Sequence, residues 1–205
     1  NSKDKEKRDK YVKHLYKKLQ REGQLERDVD RLVRNDRIAW GASMIACKDA
    51  DAMVTGNIRH YAASIEKLKR VTDPRPGEEI FGMTMITLKG KTILVADTNV
   101  QDFPSSERLV KVSKSCVRVA RLFGFDPKVA FLSHSTFGKP ISKNTKHVRN
   151  AIEMLKKENV DFDFDGEMQP DVALNPIYQE IYPFSKIVGN ANILIMPALH
   201  SAAIS

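Results

Sequence analysis

A short uninterrupted apolar run, Val129-Ala130-Phe131-Leu132, follows an Asp126-Pro127 break and ends abruptly at Ser133. Four apolar residues without polar alternation read as a strand buried on both faces, and such strands belong to parallel sheets covered by helices on either side. The segment that follows agrees. Residues 144–157 place Val148, Ala151, Ile152 and Leu155 at helical spacing, and residues 160–165 read as the next strand, so residues 128–165 form a β-loop-α-β unit with a right-handed crossover. Between strand and helix come Ser133, His134, Ser135, Thr136 and Gly138, small and polar with no apolar period. In open α/β sheets ligands bind beyond the carboxyl ends of strands, which makes residues 133–138 the first candidate site.

The chain has 205 residues, 41% of them hydrophobic and 29% charged, and no apolar run approaches the ~20 residues of a membrane span. Its net charge of +8 favours an anionic partner, although much of the excess lies in the first helix and is explained by a solvated face. Cys47 and Cys116 fall inside apolar helical patterns and read as reduced core thiols, which suits a cytoplasmic protein. The chain begins Asn1-Ser2 and stops shortly after residues 193–196, which read as a core strand, so it is expected to be part of a longer protein.

Residues 4–22, 25–34 and 36–47 show helical spacing, with Gly23 a stop and Asp36 a cap. Ala52, Met53 and Val54 read as a short strand ending at Thr55-Gly56-Asn57, and residues 58–70 as a helix. Residues 72–79, with two prolines and a glycine, form a loop and a candidate hinge. Residues 81–88 and 92–96 flank Lys89-Gly90-Lys91 as a β-hairpin, so the sheet is mixed rather than purely parallel. A helix over 104–124 precedes the opening strand, another is expected over 171–182 with Pro176 in its first turns, and residues 193–196 close the sheet. The expected division is residues 1–75, a helical lead-in with one strand and helix, and residues 76–205, the main α/β lobe.

Several strong signatures fail. Gly138-Lys139 would end a phosphate-binding P-loop, but Ser133 stands where its first glycine belongs and Pro140 where its magnesium-holding hydroxyl belongs. No G-x-G-x-x-G follows a strand, and no His/Cys set has zinc spacing. Asp161, Asp163, Asp165 and Gly166 start like a calcium loop, but its twelfth position is Val172 and not Glu, so no metal is expected; Asp165 reads as a strand-end carboxylate. His14, His60, His134, His147 and His200 have no neighbours defining a triad, and His134 reads as a packing or hydrogen-bonding residue. Stacking aromatics of the kind nucleic-acid platforms use are missing, so neither nucleic acid nor membrane is an expected partner.

Four stretches taken in order, residues 49–56, 129–135, 165–174 and 189–197, resemble the phosphate acetyl/butyryl transferase family. Leu132-Ser133-His134-Ser135 and Asp165-Gly166-Glu167-Met168-Gln169 lean toward the carboxy-terminal, phosphotransacetylase-like region of large bacterial NADP-dependent malic enzymes. The resemblance implies a three-layer α/β fold similar to isocitrate and isopropylmalate dehydrogenases, a homodimer or larger homo-oligomer, and coenzyme A thioesters and phosphate as ligands. NADP and Mg²⁺ or Mn²⁺ would belong to an amino-terminal region of the parent. The ligand-binding residues it implies are Thr55, Gly56, Asn57, Ser133, His134, Ser135, Thr136, Gly138, Asp165 and Gln169, with no catalytic residue assigned. Two departures stand out. Glu66 occupies the place of a family arginine, with Lys67 and Arg70 nearby, and Phe137 with Lys139-Pro140 replaces a small glycine-rich run. Since a carboxylate cannot neutralise phosphate, the resemblance implies an acetyl-CoA-binding regulatory domain, with an active phosphate acetyltransferase and a purely structural oligomerisation module as alternatives.

Overall fold

A computed structural model describes residues 4–56, 59–97 and 102–204. The chain forms two compact units, Asn1–Pro74 and Arg75–Ser205. No described helix is long and apolar enough to cross a membrane.

The first unit is built from α1 (Lys5–Leu19), α2 (Glu26–Asn35), α3 (Arg37–Ala46) and α4 (Tyr61–Val71). The Asp4 carboxylate caps α1 by accepting from the Lys7 amide, and a short 3₁₀ turn, Gln20–Glu22, ends on Gly23 at φ 79°. Tyr11, Leu15, Leu19, Val29, Val33, Trp40 and Val71 share one core, with Tyr11 and Trp40 meeting edge-on at 5.0 Å. The strand expected at Ala52, Met53 and Val54 is not there: these residues are coil and Val54 is fully exposed. A strand needs neighbours for its amides, and among its described residues this unit offers only helices. Met53 instead packs its sulfur over Gly41, where a Cβ would fill the space.

Asp36 ends α2 and caps α3, accepting from the amides of Ile38 at 2.8 Å and Ala39 at 3.3 Å. Arg59 donates to its other oxygen at 3.0 Å, and Lys67 pairs with the same oxygen. Burial alone would push this carboxyl up, but the hydrogen bonds from Lys67, Arg59 and the two amides outweigh it and hold the pKa at about 2. A depressed folded-state value gives stability that is complete above the unfolded value near 4 and is lost as pH falls through about 2. Trp40, the single tryptophan, lies in this unit's core and reports its unfolding. Urea denaturation followed by Trp40 fluorescence should show Asp36→Asn costing on the order of 2 kcal/mol at pH 7 and almost nothing near pH 2. A deficit independent of pH would exclude the ion pairs as its source.

The second unit contains β1 (Met83–Leu88), β2 (Lys91–Ala96), α5 (Ser106–Leu122), β3 (Lys128–Leu132), α6 (Lys146–Glu158), β4 (Asp163–Met168), α7 (Pro170–Leu174), α8 (Pro176–Gln179), β5 (Ile193–Ile195) and α9 (Leu199–Ile204). Its five strands lie in the order β1-β2-β5-β3-β4. β1 and β2 form the expected hairpin over Lys89 and Gly90, both at positive φ, and the other pairings are parallel. Side chains alternate across the sheet as the pleat requires. Leu94, Val129, Phe131 and Ile195 pack with Leu109, Cys116 and Ile152 of α5 and α6. Val95, Ala130, Leu132 and Leu194 face Val172, Ala173 and Ile187 on the other side. The expected mixed sheet with helices on both faces is therefore present.

Two boundaries differ from expectation. The helix foreseen over 171–182 breaks into α7 and α8, because Pro176 has no amide proton and disfavours helical φ/ψ at Asn175, whose side chain caps α8 instead. β4 starts three residues later than foreseen and runs through Gly166 to Met168. Asp165 thus lies inside the strand and not at its end, and its oxygens accept from the amides of Gly166 at 2.9 Å and Lys186 at 2.8 Å.

A buried ion pair ties α5 to the end of β2. Arg108 donates to Asp97 at 2.9 Å, to the Ile80 carbonyl at 2.7 Å and to Glu79 at 2.9 Å, while the Gly82 amide donates to the second Asp97 oxygen at 2.7 Å.

Candidate functional site

β3 runs between β5 and β4, paired with β5 through Phe131 and with β4 as far as Ser133, whose amide donates to the Met168 carbonyl at 2.9 Å. The chain then turns back. Thr136 and Lys139 exchange amide-to-carbonyl bonds of 2.8 and 3.1 Å around Phe137 and Gly138, at φ 47° and 88°. A tight two-residue turn of this kind needs positive φ at both central positions, which glycine accepts freely and phenylalanine does not. The Phe137 amide is pinned to the Glu167 carbonyl at 2.8 Å.

Glu167 is the residue around which the loop closes. Phe131 pairs with Gly166 but Leu132 pairs with Met168, so Glu167 is the extra residue of a bulge in β4. Bulges re-aim side chains. This carboxyl is 1% exposed and turns into the loop, where one oxygen accepts from the Ser135 hydroxyl at 2.8 Å and the Gly138 amide at 3.2 Å. The Arg149 guanidinium lies 3.6 Å from that oxygen and anchors itself on the Ser142 carbonyl at 3.1 Å. The other carboxylate oxygen is buried with no hydrogen-bond partner among the described residues.

The expected site residues divide. Ser133, His134, Ser135, Thr136, Gly138 and Gln169 come together in this loop. The hydroxyls of Ser133 and Ser135 are 3.2 Å apart, the Gln169 amide donates to the Thr136 hydroxyl at 3.2 Å, and its side chain donates to the His134 carbonyl at 3.0 Å. Asp165 serves backbone amides within the sheet, as described. Thr55 and Gly56 are exposed coil in the first unit, and Asn57 lies outside the described residues. Glu167 and Arg149 were not foreseen, although Glu167 sits between two residues that were. Chemically the loop is satisfied from within: the amides of Ser133, Ser135, Thr136, Phe137, Gly138 and Lys139 all have protein acceptors. An arriving anion would compete with Glu167 for Ser135 and Gly138. A cavity of about 510 Å³ lies on the sheet face away from α5 and α6, is lined by apolar residues such as Ile93, Leu132 and Leu194, and includes none of the loop residues.

A family model described as phosphate acetyl/butaryl transferase matches residues 1–205. The chain belongs to that family. Among its relatives, an NADP-dependent malic enzyme from Rhizobium meliloti (strain 1021) is 47% identical over 95% of the chain and 26% of its own length. A probable NADP-dependent malic enzyme from Rickettsia prowazekii (strain Madrid E) is 38% identical over 96% of the chain and 27% of its own. The chain thus spans about a quarter of the length of these curated relatives. Among solved structures, a phosphotransacetylase from Streptococcus pyogenes superposes with a TM-score of 0.83 at 28% identity, over 95% of this chain and 60% of that one.

Proposed function

We propose that this chain is the acetyl-CoA-binding, regulatory part of an NADP-dependent malic enzyme, a bacterial enzyme that oxidatively decarboxylates malate to pyruvate with NADP⁺ and Mg²⁺ or Mn²⁺ bound elsewhere in the parent. The observation carrying a sensing role over a transferring one is the loop after β3, where the Ser135 hydroxyl and the Gly138 amide are already given to Glu167. Stabilising a migrating phosphoryl group needs preorganised free donors, and here a resident carboxylate holds them. The malic-enzyme relatives, aligned along almost the whole chain, support the same reading. Regulation requires acetyl-CoA to bind two states of the parent with different affinity. A homodimer or larger homo-oligomer, with no nucleic-acid or membrane partner, completes the reading.

Calorimetry of the full chain with acetyl-CoA, beside a turnover assay with acetyl phosphate and CoA, tests it. Saturable heat without turnover is the expected result. The second reading, an active phosphate acetyltransferase in which the CoA thiolate attacks acetyl phosphate, draws on the likeness to the Streptococcus pyogenes phosphotransacetylase and on the paired hydroxyls of Ser133 and Ser135. Turnover abolished by Ser135→Ala would favour it and sink the sensing role.

A further inference from the structure

Residues 177–188 turn an apolar surface to solvent. Ile177, Tyr178, Ile181, Phe184 and Val188 are 68%, 38%, 63%, 65% and 74% exposed. Single exposed apolar residues are ordinary, but five within twelve positions form a patch of the kind that marks a protein contact. Glu180 and Lys186 are the only charged residues in the stretch, and the Lys186 ammonium lies over the Phe164 ring, 6.0 Å from its centroid.

The stretch is held firmly in place. Ile187 is buried with Val172 and Ala173, the Lys186 amide donates to Asp165 at 2.8 Å, and the Val188 carbonyl accepts from the Lys128 ammonium at 2.6 Å. A segment fixed in this way keeps its apolar side chains outside and loses little freedom when another surface covers them.

One contact joins the patch to the loop after β3. Phe137 lies 5.2 Å from Tyr182 and 4.8 Å from Phe184, centroid to centroid. Its φ of 47° is one that a bulky residue adopts only when its surroundings impose it, and its amide donates to the Glu167 carbonyl at 2.8 Å. Ring and backbone are therefore coupled. A turn that relaxes to an ordinary φ withdraws the ring from Tyr182 and Phe184.

What covers the patch follows from size. The chain spans 26% and 27% of its malic-enzyme relatives, so about three quarters of such a parent lies outside it. We propose that residues 177–188 are the surface on which that remainder docks through an apolar face of its own, with Phe137 linking the docked region to the loop after β3. This rests on the regulatory reading above, which requires the chain to touch the region it regulates, and it names that contact.

The test uses the full-length parent with Ile181→p-benzoylphenylalanine, a photo-crosslinking residue. Irradiation should join it to a peptide outside the 205 residues of this chain. A peptide from within them, which would mean a contact between two copies, overturns the proposal, as does the absence of any cross-link. Ile181→Glu, a charge at an exposed position, supplies the second readout. Malate decarboxylation without effector should match the native parent, while the effect of acetyl-CoA on it, ~5- to 150-fold in ordinary allosteric coupling, should fall toward one. Calorimetry should still show acetyl-CoA bound. Phe184→Ala, which removes the ring beside Phe137 and leaves Ile181 in place, should lose the same effect, and its retention there removes Phe137 as the link. An undiminished acetyl-CoA effect in Ile181→Glu overturns the docking role and leaves the regulatory reading standing. A cross-link outside the chain, in a parent whose turnover ignores acetyl-CoA, keeps the docking surface and removes the regulatory reading.

Discussion

Arg108→Met should destabilise the second unit by about 3–5 kcal/mol at neutral pH, the range for removing one partner of a buried ion pair. The Arg108 and Asp97 side chains are 9% and 5% exposed. Removing the guanidinium leaves the Asp97 carboxylate with the Gly82 amide as its hydrogen-bond donor and strips the acceptors Ile80 and Glu79 of their shared partner. Water cannot easily step in at that depth, so most of the desolvation cost goes unrelieved. The double variant Asp97→Asn/Arg108→Met should recover a good part of the loss, because an amide tolerates the site better than an unpaired charge. Hydrogen exchange at the amides of β2 and β5, together with urea denaturation, measures both. A loss below about 1 kcal/mol for the single variant would mean the pair behaves as exposed surface pairs do.

The second large effect is expected at Gly166. A Cβ there would stand 2.6 Å from the Phe131 carbonyl oxygen, 3.1 Å from the Phe131 Cβ and 3.3 Å from its nitrogen, and the residue holds φ at 143°. Phe131 is fully buried in β3 between two other strands and has nowhere to retreat. Overpacking and an unfavourable backbone conformation each cost roughly 1–3 kcal/mol, so Gly166→Ala should lose about 2–6 kcal/mol. The damage should also reach the loop. Shifting β4 away from β3 moves Glu167, so amide protection at Gly138 should fall further than protection at the hairpin β1–β2. Unchanged exchange at Gly138 would show that the bulge does not govern the loop.

What the amino-acid order revealed, and what it hid, follows from the range of the forces involved. The β3 run, the helices α5 and α6 and the turn at Lys89-Gly90 are written in local pattern, and each is found in the structure. Ala52 to Val54 has strand-like composition but no neighbour to pair with, and pairing is not a local property. Asp165 reads as a strand end because glycine follows it; in the fold, Gly166 is required by the close approach of Phe131, a contact across more than thirty residues. For the same reason Glu167 escaped notice. Only a register slip between two strands turns its side chain inward, and no single-chain period encodes such a slip.

The order of the sheet has a consequence for how the molecule is made. β5, the last of the described strands in chain order, lies in the middle of the sheet, and Leu94 pairs with Ile193 about a hundred residues downstream. Until that strand leaves the ribosome, β1–β2 and β3–β4 remain two unjoined half-sheets with open inner edges, the kind of exposed template that invites wrong pairing. The helical first unit, built on contacts near in sequence, can be complete long before then. A nascent chain arrested before Ile193 should accordingly be the aggregation-prone form of this protein, with Trp40 already in its native surroundings.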